Sequence, residues 1–506
     1  MTTPTPPVTN PWLVLVTVAS GLFLVIIDQT ILTLALPNLA QSLDASLSEL
    51  EWTIIAYTIT LTVLVPVFGR ISDVLGRKRL FIAGVILFTA ASLAAGLSPT
   101  ILWLIVFRIV QGCGGALITA NVLAIITDVF PPGKRGAAMG IQAIIISAGG
   151  AFGPTVGGIL ITHLSWRAVF FVNVPLGIIA AVAAVRILPP LKSQRHMEPV
   201  DWRGALLLVA GLSAVLFGVT KGPEWGWTSP AVLTLSAAGI AVTAAFWVWE
   251  SRTRFPLIDL ALLRIPAFAT GQLAGFLALV SLAALNILIP FYWQSLRGFS
   301  AQKAGLLLLP IPLTIMVISP FAGRLSDRFG SRGIATAGLL FVILSLLLTS
   351  FSSAATPIPR VMAAVALFGV GMALFTSPNN NSVMSSVPPE RRGVAAGLLG
   401  MGRHAGQSIG IAFVATIFAV FATSGPFAIH GLPSPADRAA ALADPATASL
   451  YNDAFLRGFR IAMLLAIPVA GIAAILSAIG RAAPRPPIES PAPAPPPQPA
   501  TTTDPP

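Results

Sequence analysis

Two ionisable side chains fall within long apolar stretches of the sequence. Asp28 lies past the middle of the apolar run from Trp12 to Pro37, and Arg108 follows the apolar residues Leu104–Phe107. A charged residue at bilayer depth costs about 2.5–3.5 kcal/mol on insertion scales, so it usually faces a cavity or a partner. Asp28 is the only acid well inside an apolar run, and we expect Arg108 to pair with it. The pair has two interpretations: a titrating proton site, or a permanent ion pair that holds two helices in register.

The composition places these residues in a membrane protein. Of the 506 residues, 55% are hydrophobic and 9% are charged, and the mean hydropathy is +0.86, whereas a soluble domain carries about 25% charged residues. The net charge of +12 would suit a nucleic-acid partner. The Lys and Arg residues lie in short loops between apolar runs, however, so no nucleic acid is expected. A single cysteine, Cys113, excludes a disulfide framework, and no metal site is expected.

A membrane-spanning helix needs about 20 apolar residues. This rule predicts an all-α polytopic protein with fourteen spans, the first a retained helix rather than a signal peptide, at residues 12–36, 49–69, 79–98, 100–128, 137–162, 167–188, 204–220, 230–250, 267–294, 304–323, 334–352, 359–386, 394–422 and 459–480. Lys and Arg are in excess in the loops of one side, which predicts that this side is cytoplasmic and holds both termini. The terminal segments are a cytoplasmic stretch at 1–11 and a disordered, Pro-rich tail at 481–506.

Two sequence motifs occur twice, in the same order. GRISDVLGRKR at Gly69–Arg79 returns as GRLSDRFGSRG at Gly323–Gly333, 254 residues later, and FPPGKRGAAMG at Phe130–Gly140 returns as VPPERRGVAAG at Val387–Gly397, 257 residues later. The repeat predicts two homologous six-helix halves with substrate bound near the midplane between them. The predicted units are a first half at 12–188, a two-helix insert at 204–250 and a second half at 267–480, which includes an external loop at 423–458.

The first repeated motif combines a turn with paired charges. Its glycines allow a tight turn, and Asp73 and Arg77 can pair near helix ends whose dipoles favour charges of opposite sign. Ser331 of the second copy stands where the first has Arg77, which predicts a weaker contact there. The motif residues are Gly69, Asp73, Gly76, Arg77 and Lys78 in the first copy and Gly323, Asp327 and Gly330 in the second.

The fifth predicted span carries small residues at intervals of four. They make a smooth face on which another helix can slide or bend, and Pro154 removes a backbone donor and kinks the helix. Taken alone, the pattern is equally typical of ordinary glycine-mediated packing. Its residues are Gly149, Gly153, Pro154, Gly157 and Gly158.

These motifs, with the opening stretch Asp28-x-Thr30-x4-Ala35-Leu36-Pro37, resemble those of the major facilitator superfamily, in particular its fourteen-helix drug:proton antiporter branch. The resemblance covers residues 12–480 and implies a major facilitator fold. It also implies that the Gly69 motif latches and gates the cytoplasmic side, that Arg108 takes part in proton coupling, and that the Gly-Pro motif of the fifth span marks an exporter. Thr33 stands where this branch usually has asparagine.

Other polar residues of the predicted spans are candidates for the wall of a central substrate cavity. For each of them, a hydrogen bond between helices is at least as good an interpretation. The candidates are Thr33, Asn121, Gln142, Asn286, Tyr292, Trp293, Gln294, Asn379, Asn380, Arg403, His404 and Gln407.

The predicted function is export by proton-coupled antiport through alternating access. Asp28 would take up a proton from outside and release it inside, and a cationic substrate would bind its deprotonated form. The predicted cargo is hydrophobic drugs or toxic compounds, with cationic ones as candidates. The alternatives are an exporter or flippase of a lipid or an endogenous secondary metabolite, a proton symporter that imports its substrate, and a membrane sensor without transport activity.

The remaining expectations follow from this function. No Walker loop, metal-ligand spacing or nucleophile–base set is present, so an enzyme is not expected and the energy source is the proton motive force rather than a cofactor. The expected partners are a small hydrophobic substrate, protons and the lipid bilayer. The expected state is a functional monomer in the plasma (inner) membrane of a bacterium.

Overall fold

The computed structural model describes residues 10–43, 47–190, 199–424, 427–428 and 445–480. Fourteen helices in these residues are long and apolar enough to cross a membrane, which confirms the predicted all-α architecture with fourteen spans. The predicted tail at 481–506 and most of the N-terminal segment at 1–11 lie outside the described residues.

The helices of the predicted first half are α1 (Pro11–Leu43), α2 (Leu47–Leu75), α3 (Arg77–Gly96), α4 (Ile101–Val129), α5 (Arg135–His163), α6 (Ala168–Phe171) and α7 (Asn173–Ile187). α6 and α7 together form the sixth span. Long apolar stretches set the helix lengths, because a spanning backbone must satisfy its own hydrogen bonds in lipid.

The predicted insert and second half contain α8 (Trp202–Trp225), α9 (Pro230–Glu250), α10 (Pro266–Phe291), α11 (Ala301–Leu308), α12 (Pro310–Phe329), α13 (Ser331–Ser350), α14 (Ile358–Ser385), α15 (Arg392–Phe421) and α16 (Pro445–Ile479). A π-helical turn at Tyr292–Leu296 extends α10. α11 and α12 share one span.

The region of the predicted external loop at 423–458 differs from a simple loop. Strands β1 (Thr423–Ser424) and β2 (Phe427–Ala428) pair in antiparallel orientation, and residues 445–458 already belong to α16. Tyr451 and Phe455 lie one turn apart on this extension and are both buried. The extension is helical because it carries an apolar face that packs on the second half. Residues 425–426 and 429–444 of the predicted loop lie outside the described residues.

The two copies of the repeated turn have the same backbone conformation. Gly76, between α2 and α3, has φ 97°, and Gly330, between α12 and α13, has φ 90°. Side chains other than hydrogen rarely tolerate these angles. Each turn brings two spanning helices to the same side of the membrane, which we call the motif side because it carries Gly76 and Gly330.

The most extensive contacts between the two halves run along two helix pairs, α2 with α15 and α5 with α12, and α4 also contacts α15 and α5 also contacts α14. At each crossing a glycine of one half lies against a glycine of the other, Gly69 against Gly393 and Gly136 against Gly323. A side chain at any of these positions would collide with backbone atoms, so the close approach requires glycine. The sequence repeat therefore forms a structural repeat, in which each half contributes one helix to each seam.

The insert packs over one of these two seams. α8 and α9 pack against each other, and α8 also contacts α2 of the first half and α15 of the second. The indole Nε1 of Trp227 donates a hydrogen bond of 2.7 Å to Thr416 Oγ1 on α15. α9 exposes apolar side chains, among them Leu233 and Ile240, as expected for a helix that faces lipid.

We expect Gly114→Ala to destabilise the first half. A methyl group at Gly114 would lie 2.6 Å from the backbone nitrogen of Phe88, so α3 and α4 would have to separate. Overpacking of this kind costs about 1–3 kcal/mol, which should lower the thermal unfolding midpoint of the purified protein in detergent. Gly150→Ala is the matched control, because a methyl group there meets no atom within 4 Å. Equal midpoints for the two variants would contradict the close packing.

Candidate functional site

A cavity of about 1120 Å³ lies between the two halves. Helices α1, α4 and α5 line it from the first half, and α10, α11, α12, α14 and α15 line it from the second. It reaches Gly158 and Ile159 near the end of α5 and Gly305 and Leu306 on α11. Those ends lie opposite to the motif side, so the cavity extends away from the motif side. Several predicted residues are part of its wall: Gln142, Asn286, Asn379, Asn380, Arg403, His404 and Gln407.

The structure places three of the predicted cavity residues elsewhere. Asn121 is buried and its Nδ2 donates to the Leu117 carbonyl at 2.7 Å. The Tyr292 hydroxyl donates to the Ser353 carbonyl at 2.8 Å, and the buried Trp293 ring stacks on Phe299. These side chains make contacts within the protein, but not the hydrogen bonds between helices that were the alternative: Asn121 bonds within its own helix and Tyr292 bonds to a residue that follows α13. Gln294 is not part of the wall either, and the side chain of Thr33 lies outside the described residues.

Sequence reasoning missed part of the polar wall. Each missed side chain is a polar residue within a predicted span, but only the fold shows that it faces the cavity. Among them are Gln29, Thr30, Thr119, Ser147, Gln272 and Ser319. The rest of the wall is largely apolar, including Phe276, Leu279, Met372 and Phe375. The cavity therefore suits an apolar ligand that also accepts or donates a few hydrogen bonds.

Asp28 and Arg108 are in direct contact. Asp28 is completely buried, and its Oδ2 lies 2.5 Å from Arg108 Nη1. Its Oδ1 accepts hydrogen bonds from Gln111 Nε2 at 2.8 Å and from Asn173 Nδ2 at 2.9 Å. The carboxylate thus joins α1, α4 and α7. Its role in proton transfer stays a prediction.

Arg108 has partners in addition to Asp28. Its Nε donates to the Thr53 carbonyl at 3.1 Å, and its Nη1 donates to Gln111 Oε1 at 2.7 Å. The guanidinium also lies 4.0 Å from the centre of the Tyr57 ring. These contacts would keep Arg108 in place if Asp28 lost its charge.

Asp28 is not part of the cavity wall, whereas the next two residues of α1, Gln29 and Thr30, are. Thr30 Oγ1 lies 3.3 Å from the Gly149 carbonyl oxygen of α5 and 3.1 Å from the carbonyl oxygens of Ile26 and Ile27 in its own helix, and its single proton serves one of the three at a time. One face of α1 therefore carries Asp28 of the buried ion pair. Another face lines the cavity and contacts α5.

The glycine motif of α5 has two different surroundings. Gly149, Gly153 and Gly157 pack against α1, where added side chains would meet Ile26, Thr30 and Ile31. Gly150 and Gly158 instead face open space and line the cavity. The side chain of Pro154 lies outside the described residues. The motif thus lets α5 pack closely on α1 while it presents a smooth face to the cavity.

On the motif side, Asp73 of the first half binds the start of α15. Its two carboxylate oxygens accept hydrogen bonds from the backbone N–H groups of Gly393 at 3.0 Å and Val394 at 3.1 Å. Arg77 Nη2 lies 2.8 Å from Asp73 and 3.0 Å from the Pro389 carbonyl. We call this contact the first latch. A carboxylate at a helix N-terminus is favourable because the helix dipole and the free N–H groups both attract it.

Asp128 of α4 extends the first latch. It forms ion pairs with Arg77 of its own half and with Arg392 of the other, the latter at 2.9 Å. Lys78 Nζ donates to the carbonyls of Val185 and Leu188, so it holds α3 against the end of α7 within one half. Its part in the predicted gate stays a prediction.

The second latch repeats the first with the halves exchanged. Asp327 of α12 accepts hydrogen bonds from the N–H groups of Gly136 at 3.0 Å and Ala137 at 3.1 Å, at the start of α5. Asn381 Nδ2 supplies a third donor at 3.2 Å. A neutral amide thus supports Asp327 where Arg77 supports Asp73. Together the latches join the halves on the motif side.

This architecture can be compared with known proteins. The sequence profile of the Major Facilitator Superfamily matches residues 18–411. The chain belongs to this superfamily. It is 34% identical over 410 residues to the tetracenomycin C resistance and export protein of Streptomyces glaucescens, which covers 81% of this chain and 76% of the relative. It is also 30% identical over 408 residues to the riboflavin transporter of Clostridioides difficile, which covers 81% of this chain and 88% of that relative.

Among solved structures, the human organic anion transporter MFSD10 has a similar fold. The TM-score is 0.63, at 16% sequence identity, over 92% of this chain and 100% of the other. This likeness shows the fold alone. The chain is a multi-pass membrane transporter of the major facilitator superfamily, with resistance and export proteins among its relatives.

We expect Asp73→Asn to weaken the closure of the motif side. The amide loses the charge that strengthens the hydrogen bonds from Gly393 and Val394, and such charge-assisted bonds are worth about 1.5–3 kcal/mol each. The measurement is the alkylation rate of a cysteine at Ala395, which is fully buried on α15, by a membrane-impermeant maleimide in a Cys113→Ser background. We expect a rise of about tenfold.

Asp453→Asn is the matched control for this experiment, because Asp453 is exposed on α16 far from the latches. The same alkylation rate in both variants would show that the first latch does not hold the motif side closed.

Proposed function

We propose that this chain is a proton-coupled antiporter that exports hydrophobic compounds by alternating access. The buried Asp28–Arg108 pair carries the proposal. It is the ion pair that lies deepest in the described spans, and it sits on a helix that also forms the cavity wall. A buried carboxylate with a cation and two amides around it can gain or lose a proton only with a rearrangement of those partners.

Alternating access is supported by the two latches and the cavity. The latches join the halves on the motif side, and the cavity extends to the opposite side. Each latch consists of a carboxylate and the N-terminus of a helix, so both can open without breaking the secondary structure. The described arrangement corresponds to a transporter that is closed on the motif side.

The proposed coupling runs through α1. Protonation of Asp28 removes the negative charge that attracts Arg108, while Gln111, Thr53 and Tyr57 retain the arginine. α1 is then held less tightly against α4. The close packing of Gly149, Gly153 and Gly157 on α1 connects any displacement of α1 to α5, which carries the second latch at its other end.

The direction of transport is assigned from the sequence and a relative. The excess of Lys and Arg makes the motif side cytoplasmic, so both termini are cytoplasmic and protons enter from the opposite side. The relative from Streptomyces glaucescens is named as a resistance and export protein, which supports export. We propose a functional monomer in the plasma membrane of a bacterium, driven by the proton motive force.

A lipid or an endogenous metabolite is the second candidate cargo. The cavity reaches Ile159 on α5 and Leu306 on α11, and both side chains are more than half exposed. An apolar mouth of this kind suits a lipid or another largely apolar ligand. The relative named as a riboflavin transporter supports a metabolite as cargo.

We expect Asp28→Asn to abolish proton-coupled transport while substrate exchange persists. The amide cannot take up and release a proton, but it retains the shape of the carboxylate. The measurement is the rise in luminal pH of proteoliposomes that contain a trapped pH dye, after external addition of phenylnaphthylamine, because antiport moves protons out as the probe moves in. Wild-type protein and the variant are reconstituted in parallel. The variant should give the signal of protein-free liposomes, and counterflow of the probe without a pH gradient should continue.

Asp453→Asn serves again as the exposed control and should retain full coupling. Proton movement at the wild-type rate in Asp28→Asn would place the coupling site elsewhere and leave Asp28 as a structural partner of Arg108. Failure of counterflow in the variant alone would likewise indicate a structural role.

A further inference from the structure

Arg403 is the only formally charged residue among the described side chains that line the cavity. It lies in the middle of α15, and the other polar groups of the wall are amides, hydroxyls and the neighbouring His404. Asp28, the acid expected to attract a cationic substrate, is not part of the wall. The electrostatic character of the cavity is therefore set by a positive charge.

Arg403 occupies a position that the repeat makes comparable with a residue of the first half. Gly136 and Gly393 are 257 residues apart, and the same offset relates Ile146 to Arg403 and Gly149 to Gly406. Ile146 and Arg403 both line the cavity. At this position of the wall, the second half thus carries a cation where the first half carries an apolar side chain.

The packing around this position is preserved between the halves. Gly149 and Gly153 of α5 pack on α1, and their counterparts Gly406 and Gly410 of α15 pack on α10. The helix contacts of α15 therefore need no arginine, since α5 makes the equivalent contacts with isoleucine at this position.

Arg403 also has no hydrogen-bond or ion-pair partner in the part of the chain that the structure describes. The contrast is Arg108, which is buried and has Asp28 as its partner. Arg403 is half-buried and borders the cavity, and its guanidinium stays charged in proteins. A bound anion would supply the missing partner.

We propose that the cavity binds hydrophobic organic anions, with Arg403 as the counter-ion of the anionic group. This proposal rests on the export function proposed above and specifies its substrate class. Gln407 lies one turn further along the same face of α15 and also lines the cavity, so its amide can donate to the same anionic group. The apolar body of the ligand would lie against Phe276, Leu279 and Met372. Carboxylate, sulfonate and phosphate groups all fit this recognition.

Two probes with the same apolar skeleton test this proposal. Anilinonaphthalene sulfonate is an anion, and phenylnaphthylamine is its neutral counterpart. Binding of each is measured by fluorescence titration with the full-length protein in phosphatidylcholine nanodiscs, after subtraction of the signal from protein-free nanodiscs. We expect wild-type protein to bind the anion more tightly than the neutral probe.

Variants assign this preference to Arg403. Arg403→Gln should weaken anion binding by about tenfold or more and leave phenylnaphthylamine binding unchanged, which also shows that the variant is folded. Arg403→Lys retains the charge and should restore much of the affinity. Arg324→Gln, at an exposed position on α12, controls for the change in net charge. Equal affinity of wild-type protein for the two probes, or equal weakening of both by Arg403→Gln, would overturn the proposal.

The assay distinguishes this proposal from the function on which it rests. Probe binding in nanodiscs requires no pH gradient, so uncoupled transport in the proteoliposome experiment leaves the result unaffected. Competition by phosphatidylglycerol identifies the source of the anion. Displacement of anilinonaphthalene sulfonate by this lipid supports the anion site and points to a lipid ligand, whereas retention of the probe supports the site for a soluble organic anion.

Discussion

The cost of a charge in a low-dielectric interior is the constraint on which this structure depends. Asp28 and Arg108 stabilise each other within one half, where their contact joins α1, α4 and α7. Asp73 lies between the halves, where Arg77 and the N-terminus of α15 stabilise its charge. Arg403 has neither kind of partner among the described residues and lies at the cavity wall. The three charges thus lie in three different surroundings: within one half, between the halves, and beside the cavity.

The sequence repeat explains why the same kind of latch occurs twice. In each half a carboxylate at the end of a spanning helix binds the N-terminus of a helix from the other half, and paired glycines allow the helices to approach. The two copies differ in composition, because Arg77 and Asp128 add ion pairs to the first latch, whereas Asn381 adds an amide and Arg135 a nearby positive charge to the second. The insert adds a further asymmetry, since α8 packs over the seam of α2 and α15.

The geometry of α1 links the proposed coupling to the proposed cargo. Successive residues of a helix point about 100° apart. Asp28 therefore faces α4 and α7 inside the first half, while Gln29 and Thr30 face the cavity. A substrate then need not compete with the proton for one carboxylate. Coupling through the packing of α1 on α5 permits an anionic substrate, which direct competition for Asp28 would exclude.

The sequence by itself determined the number of spans, the two homologous turns and the carboxylates of both latches, Asp73 and Asp327, but not the further latch residues Arg392 and Asn381. The length of the apolar stretches sets the number of spans. The two turns are recognisable because their positive φ angles, at Gly76 and Gly330, require glycine. It also indicated that Asp28 and Arg108 would meet, since a bilayer offers few other partners to either. Only the tertiary structure decided which polar side chains face the cavity. Asn121 and Gln142 look alike in the sequence, but the rotation and packing of their helices bury one and place the other on the wall. The same holds for Arg403, whose lack of a partner among the described residues depends on the packing of the helices around it.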